Sequence, residues 1–135
     1  MTMEFEPYLF FYGRCEQALN FYKDVFGGEI THLSRIEGSP MESEVPPNLK
    51  HNVMHANFKA PSLKFMASDG RPTGTVGESN ISLSLATNDA AEGKRVFDKL
   101  SQGGKVSMPL QDAFWGGKFG TLTDKFGIDW MMSIS

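Results

Sequence analysis

Proton chemistry near neutral pH calls for an imidazole, and the chain holds three, His32, His51 and His55. His55 has the strongest claim. It falls in the alternating stretch His51 to Phe58, where Met54, Ala56 and Phe58 share one face and Val53, His55 and Asn57 share the other. A His placed this way is a candidate general acid or base. Asp69, just past the following strand, is the candidate to orient that ring or balance its charge. Each also has a plainer reading: a structural His bonded to a neighbour, and a turn residue ahead of Gly70. His51, beside Lys50 and Asn52, and His32, in a partly polar strand, read as exposed. Cys15 lies on an apolar helix stripe and reads as a small buried hydrophobe rather than a nucleophile. Trp115, between Phe114 and Gly116-Gly117, reads equally as the lining of a ligand site or interface and as a plug for a sheet. Trp130 reads as core, and Glu37, Glu42 and Glu44 as a solvated surface.

The elements that must position these residues follow from pattern. Tyr8 to Tyr12 is a short aromatic strand led by Pro7. Cys15, Ala18, Leu19, Tyr22, Val25 and Phe26 form one helical stripe, stopped by Gly27-Gly28. Glu29 to Ile36 reads as a strand. Glu37 to Lys50, with Pro40, Pro46 and Pro47, reads as a long loop, functional or simply mobile. His51 to Phe58 and Leu63 to Ala67 are the next strands, joined by a turn at Ala60-Pro61-Ser62. Arg71 to Glu78 reads as a linker. Asn80 to Ala86 is then an alternating strand, and Asp89 with Glu92 caps a helix that buries Val96, Phe97 and Leu100. Gly103-Gly104 stops that helix. Lys105 to Met108, Ala113 to Trp115, Lys118 to Thr123 and Ile128 to Ile134 are strand-like, with a tight turn at Asp124-Lys125-Phe126-Gly127.

Composition narrows the function classes. The 135 residues are 40% hydrophobic and 21% charged, the make-up of one globular domain. A net charge of −3 without a Lys/Arg cluster argues against nucleic acid as partner. No apolar run nears the roughly 18 residues that span a bilayer, so no membrane is expected. Met1 to Glu6 lacks a signal-peptide pattern, and a single cysteine permits no internal disulfide, so the expected location is the cytoplasm. The 11 Phe and 8 Met can fill a core or line a pocket.

The order strand, helix, Gly-Gly, strand occurs twice, at an offset of 76 residues (104 − 28). Each half is expected to be a βαβββ unit. The stretch Phe21-Tyr22-Lys23-Asp24-Val25-Phe26-Gly27-Gly28 resembles the helix end of vicinal-oxygen-chelate proteins, the glyoxalase/bleomycin-resistance superfamily. Met54-His55-Ala56, Met66-Ala67-Ser68-Asp69, and the tail from Phe114-Trp115-Gly116 through Asp124-Lys125-Phe126-Gly127-Ile128-Asp129-Trp130-Met131 resemble its PhnB-like branch more narrowly. The resemblance implies an α+β fold over residues 1–135. Two tandem βαβββ modules, roughly 1–70 and 79–135 with linker 71–78, would form a curled, cup-shaped mixed sheet with helices outside.

It also implies where metal ligands would lie. The superfamily's His, His and Glu carry over to Pro7, Ser82 and Met131, which do not suit a hard divalent ion. No metal and no cofactor is expected. If those positions mark the cup's inner face, alternation adds Leu9 and Phe11, Ser84, and Asp129 and Ser133 around Met131, with His55 pointing the same way. The expected site is therefore His55 and Asp69 for catalysis, with Phe11, Ser82, Ser84, Trp115 and Met131 for binding.

Three functions compete. The first is a small-molecule-binding protein of unknown ligand, acting as a homodimer, with or without a metal-independent reaction. The second is sequestration of a drug or toxin without chemistry. The third is the demethylubiquinone methyltransferase activity named by the label of related sequences. The chain has no glycine-rich strand-to-helix turn for S-adenosylmethionine and is short for that fold. Nor has it a phosphate-cradling loop to match the phosphonate metabolism that the PhnB name suggests.

Overall fold

The stripe Cys15, Ala18, Leu19, Tyr22 and Val25 recurs every three or four residues and so lies along one side of a helix. The computed structural model describes residues 3–71 and 74–135 and forms that helix as α1, Cys15–Phe26, with all five stripe residues buried. Met1 of the opening segment and Pro72 of the expected linker lie outside the described residues. The chain divides into two units, Met1–Val76 and Gly77–Ser135.

In the first unit α1 is joined by β1 (Tyr8–Phe10), β2 (Glu29–Arg35), β3 (Val53–Lys59) and β4 (Lys64–Ser68). The sheet order is β1-β4-β3-β2. Only the β1–β4 pair is parallel. α1 covers one sheet face. There Phe58 stacks on Phe65 at 4.9 Å, and Tyr22 meets Phe65 edge-on at 5.8 Å. Burying a side chain of this kind is worth about 1.5–3 kcal/mol, so these rings fix which face turns inward.

The second unit repeats the plan. It holds β5 (Leu83–Thr87), α2 (Ala90–Ser101), β6 (Lys105–Asp112), β7 (Lys118–Thr123) and β8 (Asp129–Ile134). The order β5-β8-β7-β6, with β5 parallel to β8, matches the first sheet strand for strand. Asp89 caps α2 by accepting from the Glu92 amide at 3.1 Å. The architecture is α+β: two four-stranded mixed sheets, neither closed into a barrel. Among the described residues no helix is long and apolar enough to cross a membrane.

The paired glycines have separate tasks. Gly27 takes a left-handed conformation (φ 67°) and closes α1 onto the Lys23 carbonyl, as such caps do. At Gly28 a Cβ would stand 2.7 Å from the Lys59 carbonyl oxygen, and at Gly104 one would stand 2.3 Å from that of Thr123. Each second glycine thus lets β2 or β6 begin directly against the end of its neighbouring strand.

Several boundaries differ from the pattern reading. β1 ends at Phe10 because Tyr12 and Gly13 turn the chain. β5 starts at Leu83, three residues later than expected. β6 runs on to Asp112 through Pro109, which an edge strand tolerates because it lacks a second partner. Ala113 to Trp115 is therefore not a strand but part of the β6–β7 turn, closed by the Ala113 amide on the Gly117 carbonyl. The long loop after β2 contains two single 3-10 turns, Glu42–Glu44 and Pro47–Leu49.

Candidate functional site

The face of the first sheet away from α1 carries the polar rings. Cross-strand neighbours share a face. The row Leu9, Ala67, Ala56 and Leu33 lies on the helix side, since Ala67 and Ala56 are fully buried. The alternate row is Tyr8, Met66, Asn57 and His32, and it faces the other way. His32 joins it through a β-bulge. The register jumps between Ile30, opposite Phe58, and His32, opposite Asn57, which turns His32 onto the open face. The second unit has the same irregularity between Val106 and Met108, again at a 76-residue offset (108 − 32).

On this face the ring centroids form a continuous ladder. Tyr12 lies 6.3 Å from Phe10, Phe10 5.1 Å from Tyr8, Tyr8 5.7 Å from His55, and His55 6.0 Å from His32. All four spacings are in the range of interacting aromatic pairs. The His55 ring is held at both nitrogens: Nδ1 is 3.2 Å from the Tyr8 hydroxyl and Nε2 is 2.8 Å from Asn57 Oδ1. With the Asn57 amide oriented so that Oδ1 faces the ring, Nε2 carries the proton and Nδ1 accepts from Tyr8. The result is a relay, Tyr8 to His55 to Asn57, whose outer member is a half-buried phenol. Such a base, oriented by a third group, can take the proton of Tyr8 as that hydroxyl takes one from a bound molecule.

Tyr12 sits at a strained position. It is the one described residue other than glycine with a positive φ, 47°. Gly13 follows at 97°, and the Arg14 amide closes the turn on the Phe11 carbonyl at 3.1 Å. Two positive φ values define a turn that favours Asn or Gly. A Tyr in that region costs about 1–2 kcal/mol.

The expected site residues fall in different places. Phe11 does not line the open face: it is 2% exposed and packs on Tyr22 at 6.0 Å, inside the core under α1. Leu9 shares its side. Lining positions counted in step with Pro7 fall on the helix-covered side of β1, whereas Tyr8 lies on the other side. The signal that finds Tyr8 is the aromatic alternation Tyr8, Phe10, Tyr12 itself.

Asp69 does not touch His55. Its Oδ1 accepts from the Gly13 and Cys15 amides, both at 2.8 Å, and its Oδ2 from the Val53 amide at 2.7 Å. It caps α1 from a distant strand end, where Arg14 supplies no side-chain cap. Ser84 and Met131 lie directly opposite each other on one face of the second sheet, with Thr121 and Met108 next in the row. Ser82 precedes β5 and is exposed. Trp115 is 58% exposed and edge-on to Phe114 and Phe119. Trp130 is core, donating from Nε1 to Asp124 Oδ2 at 2.8 Å. His32 and His51 are exposed, His51 beside Glu37 at 3.3 Å.

The positions that correspond to metal ligands do not fit a divalent ion. The Pro7 carbonyl accepts from the Met66 amide at 2.9 Å, and Ser82 and Met131 are poor ligands for a hard cation. Among the described residues no three His, Cys, Asp or Glu side chains form a group able to hold a metal.

Comparison with known proteins places this geometry in context. The family described as 3-demethylubiquinone-9 3-methyltransferase matches residues 3–133. Protein YjdN of Escherichia coli (strain K12) is 33% identical over 98% of this chain and 95% of its own. Protein PA1353 from Pseudomonas aeruginosa is 36% identical, with a TM-score of 0.86 over 99% of this chain and 98% of that one. A putative 3-demethylubiquinone-9 3-methyltransferase, PhnB protein, from Bacillus cereus is 31% identical, with a TM-score of 0.81 over 98% and 100%. The fold alone extends to a glyoxylase/bleomycin resistance protein/dioxygenase domain from Frankia, at 13% identity and a TM-score of 0.68 over 100% and 98%.

Two predictions follow from Asp69 and its neighbour. Asn in place of Asp69 offers one acceptor oxygen and turns its NH2 toward an amide donor. D69N is expected to lose about 2–4 kcal/mol in urea unfolding, and a loss under about 0.5 kcal/mol would overturn the capping role. Burial, then the charges of Asp69 and Glu16, push the Cys15 thiol up from 9.0 to about 12. The folded state thus holds this proton more tightly than the unfolded chain. The associated stability is fully present below about pH 9 and is lost as pH rises toward about 12. A thiol-disulfide reagent at pH 8 should label Cys15 only after denaturation, and C15A should show a shallower alkaline loss of stability. Rapid labelling of the folded protein would contradict this.

Proposed function

The chain belongs to the 3-demethylubiquinone-9 3-methyltransferase family, the PhnB-like branch of the glyoxalase/bleomycin-resistance superfamily, and from that membership we propose that it is a small-molecule-binding protein. In this reading the ligand lies on the open face of the first sheet, against Tyr8, His55 and Asn57. The observation that carries it is the His55 ring, bonded at both nitrogens within a ladder of half-exposed rings. An oriented imidazole on an otherwise aromatic surface is the composition of a binding site with one proton-handling point. A metal-independent proton transfer through Tyr8 is the reaction this relay supports.

Methyl transfer from S-adenosylmethionine, the activity in the family's description, fits these residues poorly. The β1–α1 turn has no glycine-rich loop, and its Gly13 and Cys15 amides are already engaged by Asp69. The N-terminus of α2 is likewise closed by Asp89. At each strand-to-helix junction a carboxylate already occupies backbone donors that a nucleoside site would use.

The reading includes one domain over residues 1–135, acting in the cytoplasm as a homodimer. Support for the dimer is apolar surface that a monomer leaves in water. Val106 and Met108 on β6, and Phe114 and Trp115 in the hairpin after it, are all exposed.

The ligand site is tested by following the His55 ring signals by NMR while a panel of small metabolites is titrated in. At least one class should shift them saturably. H55A and Y8F should each weaken that ligand about tenfold, the loss of a well-placed polar contact. Turnover unchanged in both variants, where turnover exists, would exclude the relay from catalysis. A panel that never moves His55 would overturn the site. For the dimer, sedimentation at micromolar protein should give twice the chain mass, and a monomer would overturn it.

A further inference from the structure

We propose that Phe10, Tyr12 and Arg71 form the platform for one part of that ligand, an aromatic ring bearing a carboxylate. The inference rests on the reading of the open face of the first unit as a ligand site and names the chemistry of what binds there.

Phe10 leaves 47% of its surface in water, and Tyr12 lies beside it with the two ring planes only 24° apart. The two rings are stacked near-parallel, an arrangement that a further planar partner can join. Tyr12 holds that position against backbone preference. Asn or Gly would relax the turn, so what Tyr adds there is its ring. The chain also makes room for the ring. A Cβ at Gly74 would stand 2.2 Å from the Tyr12 ring, and one at Gly70 would stand 3.1 Å from both the Phe10 and Tyr12 rings. Two glycines therefore let backbone lie directly against the pair.

A pocket of about 290 Å³ opens at this point, lined by Phe10, Tyr12, Arg71, Gly74 and Thr75. That volume is at the small end of ligand sites and fits one or two fused rings. Arg71 supplies the charge. Arg35 and Arg95 are paired with Glu16 and Glu92, whereas Arg71 has no ion-pair partner among the described residues. A guanidinium at the edge of an aromatic pocket matches a planar carboxylate through two parallel hydrogen bonds and can also lie over a ring. Phe10 is the next rung to Tyr8. With its acid at Arg71 and its ring over Phe10 and Tyr12, a ligand extends along the ladder toward the Tyr8 hydroxyl.

The experiment titrates the full chain with 2-naphthoate and, separately, with neutral 2-naphthamide, following ring signals by NMR and heat by calorimetry. Naphthoate should bind saturably and about tenfold more tightly than the amide, the gain of a charge-assisted pair. R71Q should erase that difference while leaving the amide unchanged. Y12N should weaken both ligands about tenfold, yet keep a urea midpoint equal to or above that of the parent chain, because Asn suits the turn. F10A serves as a second variant for the stacking surface and should also weaken both. Equal affinity for the two ligands, no saturable binding at millimolar naphthoate, or an R71Q variant that behaves like the parent would overturn the proposal. The two readings separate by signal. Naphthoate that shifts Phe10 and Tyr12 but never His55 supports this platform and removes the relay from the site. A ligand that shifts His55 with no dependence on Arg71 does the reverse.

Discussion

Three backbone amides from separate parts of the first unit converge on the carboxylate of Asp69: Gly13 and Cys15, at the start of α1, and Val53, at the start of β3. Asp69 itself lies just past the end of β4 and is 4% exposed. A buried carboxylate without such donors would cost several kcal/mol, and helix amides without an acceptor would also be costly. Each requirement meets the other. The negative group also sits at the positive end of the α1 dipole. Its own amide returns a bond to the Val53 carbonyl, so the contact is reciprocal with β3. One side chain thus ties the β1–α1 turn, the helix and two strands into a fixed relation.

The open face depends on that tie. Because the turn after β1 is held at Gly13, Phe11 is committed to the core beneath α1, and Tyr8, Phe10 and Tyr12 are left on the opposite side. The bulge in β2 then adds His32 to the same surface, and β3 supplies His55 and Asn57. The second unit has the same strand order and a bulge at the matching place. Its open face carries Ser84, Met131, Thr121 and Met108 instead of His and Tyr rings. The two units share a backbone plan and differ in chemistry. All three His and all three Tyr residues lie in the first unit, although both units share one order of elements.

Much of the fold was legible in the sequence. The α1 stripe, the Asp89 cap of α2, the Gly-Gly stops, the Asp124 to Gly127 turn and the twofold βαβββ order all follow from spacing and local preference, and the structure holds each of them. Strand ends were less legible. β6 reads as two fragments because Pro109 interrupts it, yet an edge strand accommodates the missing donor. The candidate site was legible only in part. His55 stands out by its residue type and by the alternation of β3. The side on which Phe11 lies was not legible, because a short aromatic strand offers two apolar faces, and alternation by itself does not say which one the helix covers.

By itself, the sequence determined the elements, their order and their repetition, because helix periodicity, caps and glycine stops act over a few residues. It also determined that the chain belongs to a fold of two similar units, since the repeat is written at a constant offset. Only the tertiary structure decided what Asp69 does. Its partners Gly13, Cys15 and Val53 lie 16 or more residues away in the chain, and no local pattern brings them together. It likewise decided the face of β1 and the partners of His55. A strand's inner side is set by what packs on it, and Tyr8 meets His55 across 47 residues of sequence.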